Sequence, residues 1–174
     1  DYDIAPGAHW ARHTVSGIAR APVTDMIDLT RHTPVRVLAR NDALQQVIAG
    51  EGLPPVEFAR LDLGKGVSVD SWLMKPAHFD PAKRYPILFH VYGEPWGQTV
   101  ADAWDGRTAL WHRMLAERGY IVASIDPRGT NTPRGHDWRR SIYRRLGVVG
   151  PDDYAAGVRK LLAAHPRIDA RDDI

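Results

Sequence analysis

The spacing of apolar and polar residues changes along the chain, and the first 40 residues have a pattern of their own. Short runs with strand character alternate there with turns that contain glycine, proline or polar residues. Several short strands with turns between them indicate antiparallel β structure. We predict strands at 9–18, 23–29 and 34–39. Because one such meander cannot bury both of its faces alone, we expect it to be the last piece of a larger β assembly.

A short helix follows this β region. Asn41 is placed to act as its N-cap, with a side chain that accepts a hydrogen bond from a free backbone N–H of the first turn. Behind it Leu44, Val47 and Ile48 stand at positions i, i+3 and i+4, which predicts one apolar helix face. Gly50 is predicted to end the helix.

The pattern after this helix is that of an α/β domain, and we place the domain boundary between the two patterns. The "EGLPP" segment indicates a linker, because paired prolines cannot continue a helix. Residues 1–45 are predicted to be one domain and residues 46–174 the other. Strand-like runs at 56–63 and 67–76, joined by the Gly-Lys-Gly turn at 64–66, predict a hairpin.

Two helices follow the hairpin, and each is indicated by apolar residues on one face. These faces consist of Leu110, Trp111, Met114 and Leu115 in the first helix, and of Tyr154, Val158, Leu161 and Leu162 in the second. The first helix is predicted to end at Gly119. The second is predicted to run from Pro151 to Pro166, with Asp152 and Asp153 complementing its dipole.

The strands between these helices predict where ligand chemistry would lie. Apolar runs at 87–92 and 120–126 are typical of strands covered on both faces, and a further strand is expected to begin near Ile174. Strands that alternate with helices predict a largely parallel sheet. Ligands bind such sheets outside the carboxyl ends of the strands. Tyr92 stands at that end of its strand.

The composition excludes some functions and leaves the compartment open. The chain has 23 Lys and Arg against 21 Asp and Glu, and a net charge of +2 is too small to indicate nucleic acid or an anionic membrane as a partner. Cysteine is absent, so there is no disulfide framework and no thiolate metal site. The apolar runs are far shorter than the roughly 20 residues of a spanning helix. The acidic start at Asp1 does not resemble a signal peptide, which leaves localisation unknown.

Three other groups of residues have the composition of a site, but their context favours a structural role. His9 and His13 are four residues apart, but a strand would hold them well apart, so no metal site is predicted. Ser124 and Asp126 could be drawn into a catalytic triad, yet Ser124 lies inside a buried strand. The arginine-rich segment at 128–145 is interleaved with aromatic residues. Nearby acids favour internal ion pairs and stacking there over nucleic-acid binding.

Three motifs in order resemble a known family. They are "PAHFDPAKRYPILFHVYGEPWGQ", "GYIVASIDPRGT" and "RRLGVVGPDDYAAGVRKL". They are similar to dipeptidyl peptidase IV-type serine peptidases of the prolyl oligopeptidase family, which have an N-terminal β-propeller and a C-terminal α/β-hydrolase domain. The resemblance implies an α/β fold class, with the N-terminal half of an α/β-hydrolase domain preceded by terminal strands of a β-propeller.

The resemblance also implies a role for Tyr92. Its counterpart in the family donates its phenolic O–H into the oxyanion hole. The implied activity is that of a serine exopeptidase that releases dipeptides from peptide N-termini, after proline or alanine, through an acyl-enzyme. The implied partners are a peptide substrate, the remainder of the same polypeptide and a second copy in a homodimer. No metal or organic cofactor is implied.

The nucleophile of this fold is not found in the sequence. The motif is G-x-S-x-G, and none of the chain's serines has glycine at both −2 and +2; these are Ser16, Ser68, Ser71, Ser124 and Ser141. The nucleophilic serine, the acid and the base are therefore expected beyond residue 174. Two alternatives stay open. The chain could belong to a non-catalytic scaffold of the same fold, or to an acylaminoacyl peptidase, an oligopeptidase or an esterase.

Overall fold

The chain forms two compact units in the computed structural model. The structure describes residues 1–50, 54, 56–92, 96–166 and 168–169. The first unit contains Asp1–Leu53 and Asp102–Leu110, and the second contains Pro54–Ala101 and Trp111–Ile174. The domain assignment at residues 1–45 and 46–174 stays a prediction. Within the described ranges, no helix has the length and apolar character needed to cross a membrane.

The first unit contains a four-stranded antiparallel sheet whose strands pair in chain order. Its strands are β1 (Tyr2–Ile4), β2 (Trp10–Gly17), β3 (Arg20–Asp28) and β4 (Thr33–Ala39). The three predicted strands are confirmed. Strand β1 was not predicted, because three residues are too few to show an alternating pattern. Every residue of β4 is exposed within this chain, as expected of a sheet edge that belongs to a larger β assembly.

Helix α1 (Asp42–Gly50) differs from the prediction at its N-terminal end. Asn41 has a left-handed backbone (φ 56°), and its Nδ2 donates to the Pro22 carbonyl at 2.7 Å. The side chain thus points back to β3, and the predicted N-cap bond is not formed among the described residues. The helix ends at Gly50, as predicted. Ile48 is buried as predicted, whereas Val47 is 59% exposed.

The second unit contains a five-stranded mixed sheet of the predicted α/β type, in the order β5-β6-β8-β7-β9. Its strands are β5 (Val56–Gly64), β6 (Val67–Met74), β7 (Tyr85–Phe89), β8 (Ile121–Asp126) and β9 (Ile168–Asp169). The predicted β5–β6 hairpin is confirmed. Strand β6 pairs antiparallel with β8, while β7 pairs parallel with both β8 and β9.

The predicted end of β7 is wrong. Strand β7 ends at Phe89, three residues before Tyr92, because its ladder with β8 stops where Phe89 faces Ala123. One more bond, from His90 N to Ala123 O at 2.8 Å, holds the chain before it leaves the sheet. A two-residue strand, β9, which the sequence did not predict, begins at Ile168, which packs with Tyr85 and Leu73 in the core, and the strand expected near Ile174 stays a prediction. Ile174 itself lies outside the described residues.

Helices α2 (Gly106–Glu117), α3 (His136–Arg140) and α4 (Val149–Ala164) complete the described structure, and α3 was not predicted. Of the predicted apolar face of α2, Leu115 packs against the core, whereas Leu110 and Trp111 are 48% and 45% exposed. The helix also buries Ala109 and Ala116. Alanine adds little to an apolar pattern, so an apolar count overlooks these positions. In α4, Leu161 is buried as predicted.

The core of the second unit lies on both faces of its sheet. Every residue of β8 is buried, which confirms the prediction of a strand covered on both faces. Successive side chains of a strand point to opposite faces. One face therefore packs Trp72, Met74, Val100, Ala116 and Val122, and the other packs Leu73, Tyr85, Ile121, Ala123 and Leu161. This double burial fixes the carboxyl ends of β7 and β8 side by side.

Candidate active site

A cleft of about 90 Å³ lies in the second unit, beyond the carboxyl end of β8. Its floor is formed by the residues that end and follow β8, one wall by the segment after β7, and the opposite side by the start of α4 and the loop before it. The lining residues are Tyr92, Gly97, Thr99, Ile125, Asp126, Pro127, Arg128, Thr130, Ile142, Leu146, Gly147, Gly150, Pro151 and Tyr154. This is the position that an α/β sheet offers for ligand chemistry.

Tyr92, the predicted site residue, is part of this lining and is 53% exposed. Its ring lies against the backbone of Gly97. A Cβ placed on Gly97 would overlap the Tyr92 ring carbons Cδ1 and Cε1 and would lie 2.6 Å from Cγ. Within the part of the chain that the structure describes, the Tyr92 hydroxyl makes no hydrogen bond. The ring is thus positioned by backbone packing, and its O–H faces no competing protein acceptor there.

Asp126 ends β8 as a buried carboxyl group that binds the segment after Tyr92. It accepts hydrogen bonds from Thr99 N at 2.9 Å, Thr99 Oγ1 at 2.8 Å and Val100 N at 3.1 Å. Thr99 O in turn accepts from Trp72 Nε1 at 2.8 Å. All the polar groups of Thr99 are therefore bound, which fixes this part of the cleft wall.

The Ser124 hydroxyl joins this wall to the end of β7. Its Oγ lies 2.7 Å from Thr99 Oγ1 and donates to the His90 carbonyl at 2.6 Å. Ser124 is fully buried, so it does not face the cleft as a nucleophile would. Its hydroxyl instead connects the segments on either side of Tyr92.

Burial raises the pKa of Asp126, although the hydrogen bonds from Thr99 and Val100 oppose the shift. Two backbone N–H groups and the Thr99 hydroxyl donate to this carboxyl group, so its hydrogen bonds favour the ionised form while burial disfavours it.

Arg128 follows β8 and forms a two-point ion pair with Asp153 of α4. Its Nε donates to Asp153 Oδ2 at 2.8 Å and its Nη2 to Oδ1 at 2.7 Å, while its backbone N donates to Oδ2 at 3.0 Å. The Asp153 side chain is only 4% exposed. The bond to Asp153 raises the pKa of Arg128. Asp153 therefore anchors the cleft floor to α4 in addition to complementing the helix dipole.

Part of the arginine-rich segment is held internally as predicted, through Arg128 and Arg134, whereas Arg139, Arg140, Arg144 and Arg145 are exposed. The Arg134 guanidinium lies 3.8 Å from the Trp138 ring centroid, and it donates to Ser68 O at 2.6 Å and Ser68 Oγ at 2.9 Å. Trp138 Nε1 donates to Thr130 Oγ1 at 3.3 Å. Stacking and hydrogen bonds thus tie the loop after β8 to β6, in agreement with a structural role for these side chains.

Tyr154 lies on the α4 side of the cleft, and burial raises its pKa to about 12. The neighbouring Ser124 side chain and Ile125 backbone oppose this rise in the pKa of Tyr154, while the charge of Asp126 adds to it. Burial disfavours the ionised phenolate, so the folded state holds the proton more tightly than the unfolded chain.

We expect Tyr154 to give the complete protein an alkaline pH dependence of stability. A tyrosine in the unfolded chain has a pKa of about 10, so the stability that Tyr154 contributes is fully present below pH 10 and is lost as pH rises toward 12. The free energies of unfolding of the parent and of Tyr154→Phe, measured from pH 8 to 12, should therefore converge above pH 10. A difference that stays constant over this range would contradict the shift.

The histidines at 9 and 13 do not form a metal site among the described residues. His13 lies 3.0 Å from Asp25 across β2 and β3, so it has an acidic partner in the sheet, and no group of three potential metal ligands occurs among the described residues.

Sequence reasoning missed the roles of Gly97, Thr99 and Asp153. The sequence signal that could have found Thr99 is Asp126, an acid at the end of a mainly apolar strand. A buried carboxyl group needs hydrogen-bond donors nearby.

Comparisons with known proteins agree with this arrangement. The sequence profile of the prolyl oligopeptidase family matches residues 107–172. Dipeptidyl peptidase 4 of Arthroderma otae is 31% identical over 130 residues, which is 74% of this chain and 17% of that protein. The chain thus spans about a sixth of the length of this curated relative.

Solved structures extend the likeness to almost the whole chain. The crystal structure of Porphyromonas gingivalis dipeptidyl peptidase 4 has a TM-score of 0.87 and 30% identity, over 97% of this chain and 23% of that one. Pyrococcus horikoshii acylaminoacyl peptidase shares the fold, with a TM-score of 0.72 and 18% identity over 97% of this chain and 25% of that one. The predicted fold class is thereby confirmed. Together, the α/β sheet, the cleft at its carboxyl edge and these likenesses show that the chain belongs to the prolyl oligopeptidase family.

Proposed function

We propose that the protein to which this chain belongs is a serine exopeptidase that releases dipeptides from peptide N-termini, with proline or alanine before the cleaved bond. The observation that carries the proposal is the place of Tyr92, at the wall of a cleft beyond the carboxyl end of β8. The 30% identity to a solved dipeptidyl peptidase 4 over 97% of the chain supports the choice of activity.

In this proposal Tyr92 is the oxyanion donor. A serine Oγ supplied by the remainder of the polypeptide attacks the peptide carbonyl carbon, and the carbonyl oxygen becomes negatively charged. The Tyr92 O–H donates to that oxygen, and a fixed donor of this kind stabilises charge that exists only in the transition state and intermediate. Tyrosine suits this task because its hydroxyl donates while it is neutral.

The rest of the reaction follows from the chemistry of acyl transfer. The C–N bond breaks, the proton of the serine passes through a base to the leaving amine, and an acyl-enzyme remains. Water then attacks the acyl-enzyme and releases the dipeptide. The serine, the acid and the base are assigned to the remainder of the polypeptide, since the present sequence has no G-x-S-x-G motif.

The test is an assay of the complete polypeptide with matched chromogenic anilides. We expect Gly-Pro anilide to be cleaved and the same compound with an acetylated N-terminus to be inert, because an exopeptidase of this type requires the free amine. Cleavage of the acetylated compound at a similar rate would indicate an endopeptidase and contradict the proposal. Cleavage of acetyl-Ala anilide alone would indicate an acylaminoacyl peptidase, and no hydrolysis together with no labelling by an organophosphorus serine reagent would indicate a scaffold.

A further inference from the structure

The segment that carries Tyr92 is attached to the sheet at two points, one on each side of the tyrosine. On the near side, His90 is bound through its N–H to Ala123 O at 2.8 Å and through its carbonyl to Ser124 Oγ at 2.6 Å. On the far side, Thr99 is bound to Asp126 through both its N–H and its hydroxyl. Both attachments are therefore to the last four residues of β8.

The two attachments are joined to each other. Thr99 Oγ1 and Ser124 Oγ lie 2.7 Å apart, so the hydroxyl that binds Asp126 also meets the hydroxyl that binds the His90 carbonyl. Val100, directly after Thr99, is buried in the core with Trp72 and Met74. The far attachment is thus held by apolar packing as well as by hydrogen bonds, which makes it a rigid base for the cleft wall.

Between these attachments, Tyr92 is positioned by Gly97. Its ring occupies the space that any side chain at residue 97 would need, and the overlap is with several ring carbons. A backbone that approaches an aromatic ring this closely requires glycine. Tyr92 is 53% exposed, so the contact with Gly97 supports a ring that the described residues cover only in part.

We propose that Gly97 and Thr99 are positioning residues for Tyr92, with Gly97 giving the ring its place and Thr99 tying the segment to Asp126 and Ser124 at the end of β8. This inference rests on the proposed role of Tyr92 and adds to it the structural cause of its preorganisation. An oxyanion donor contributes only when it is already in place, and a misplacement of 1 Å can cost on the order of 100-fold in rate.

The experiment is a double-mutant analysis in the complete polypeptide, with kcat and KM measured for Gly-Pro anilide. Gly97→Ala is expected to lower kcat by about 100-fold, because its Cβ displaces the Tyr92 ring. Thr99→Val removes the hydroxyl while keeping the shape of the side chain, and is expected to lower kcat about tenfold. Thr99→Ser keeps the hydroxyl, so its kcat should stay close to that of the parent.

The decisive measurement repeats these substitutions in the Tyr92→Phe background. If Gly97 and Thr99 act through the Tyr92 hydroxyl, neither substitution should lower kcat further there. Losses that add to that of Tyr92→Phe, or an unchanged kcat for both single variants, would overturn the inference while leaving the role of Tyr92 intact. An unchanged kcat for Tyr92→Phe itself would overturn both.

A matched control separates positioning from folding. Ser71→Ala removes another buried hydroxyl of the same sheet, which donates to Ala59 O at 3.2 Å, and it should leave kcat unchanged while lowering stability slightly. If Thr99→Val fails to fold, Gly97→Ala still tests the inference. Gly97 is only partly buried, and its replacement by alanine removes no hydrogen-bonding group.

Discussion

Replacing Tyr92 by phenylalanine in the complete polypeptide is expected to lower kcat and kcat/KM together by about 10²–10³. The substitution keeps the ring that packs against Gly97 and removes only the hydroxyl. A donor that acts on charge developed in the transition state does not contribute to ground-state binding, so KM should change little. Steady-state kinetics on Gly-Pro anilide, together with an unchanged circular dichroism spectrum, checks this expectation.

Tyr120→Phe is the matched control for this prediction. Tyr120 directly precedes β8, at the opposite end of the strand from Asp126. Its side chain is partly exposed, at 39%. Its replacement should leave kcat and KM unchanged. A rise in KM with constant kcat in Tyr92→Phe would instead mean that the hydroxyl binds substrate and transition state equally, which contradicts an oxyanion role.

Replacing Arg128 by methionine is expected to cost about 3 kcal/mol of stability in the second unit, because it leaves the Asp153 carboxylate buried without its partner. The Asp153 side chain is 4% exposed, and two of its three hydrogen bonds come from the Arg128 guanidinium. Native-state amide hydrogen exchange of β8 and α4 in the complete polypeptide measures the effect locally, which matters because a multidomain chain need not unfold in one step.

The exposed Arg60–Asp70 pair offers the control for this second prediction. Arg60 Nε lies 2.7 Å from Asp70 Oδ1, the same separation as in the buried pair, yet the Arg60 side chain is 63% exposed. Solvent screens an exposed pair, so Arg60→Met should have little effect on exchange. Equal losses for the two variants would contradict the claim that burial, and not distance, makes the Arg128–Asp153 pair important.

Strand positions were predictable wherever the pattern reflected burial on a sheet face. Strand β8 is mainly apolar because both of its faces are covered, and the β5–β6 hairpin follows from a Gly-Lys-Gly turn. The end of β7 was not predictable in this way. Residues 90–92 continue the apolar run in the sequence, but the ladder with β8 has already ended at Phe89, and ladder length depends on the partner strand.

Helix faces were less predictable than strands, and α2 shows why. The apolar residues at 110, 111, 114 and 115 formed the stronger pattern, yet the helix packs through Ala109 and Ala116, with His112 and Arg113 also buried. The burial of a small or a polar side chain depends on partners that come from other elements. Such partners cannot be seen in the residues of the helix alone.

The sequence by itself determined the α/β order of strands and helices, the family resemblance and the choice of Tyr92, because burial pattern and local motifs are properties of consecutive residues. Only the tertiary structure decided what holds Tyr92. The ring rests on Gly97, five residues away in the chain. The wall is fixed by Thr99 bonding to Asp126 across 27 residues, and the cleft floor by Arg128 bonding to Asp153 across 25. Such contacts form only after the sheet has brought the carboxyl ends of its strands together. They depend on which residues are close in the folded structure, and the order of residues along the chain does not show this.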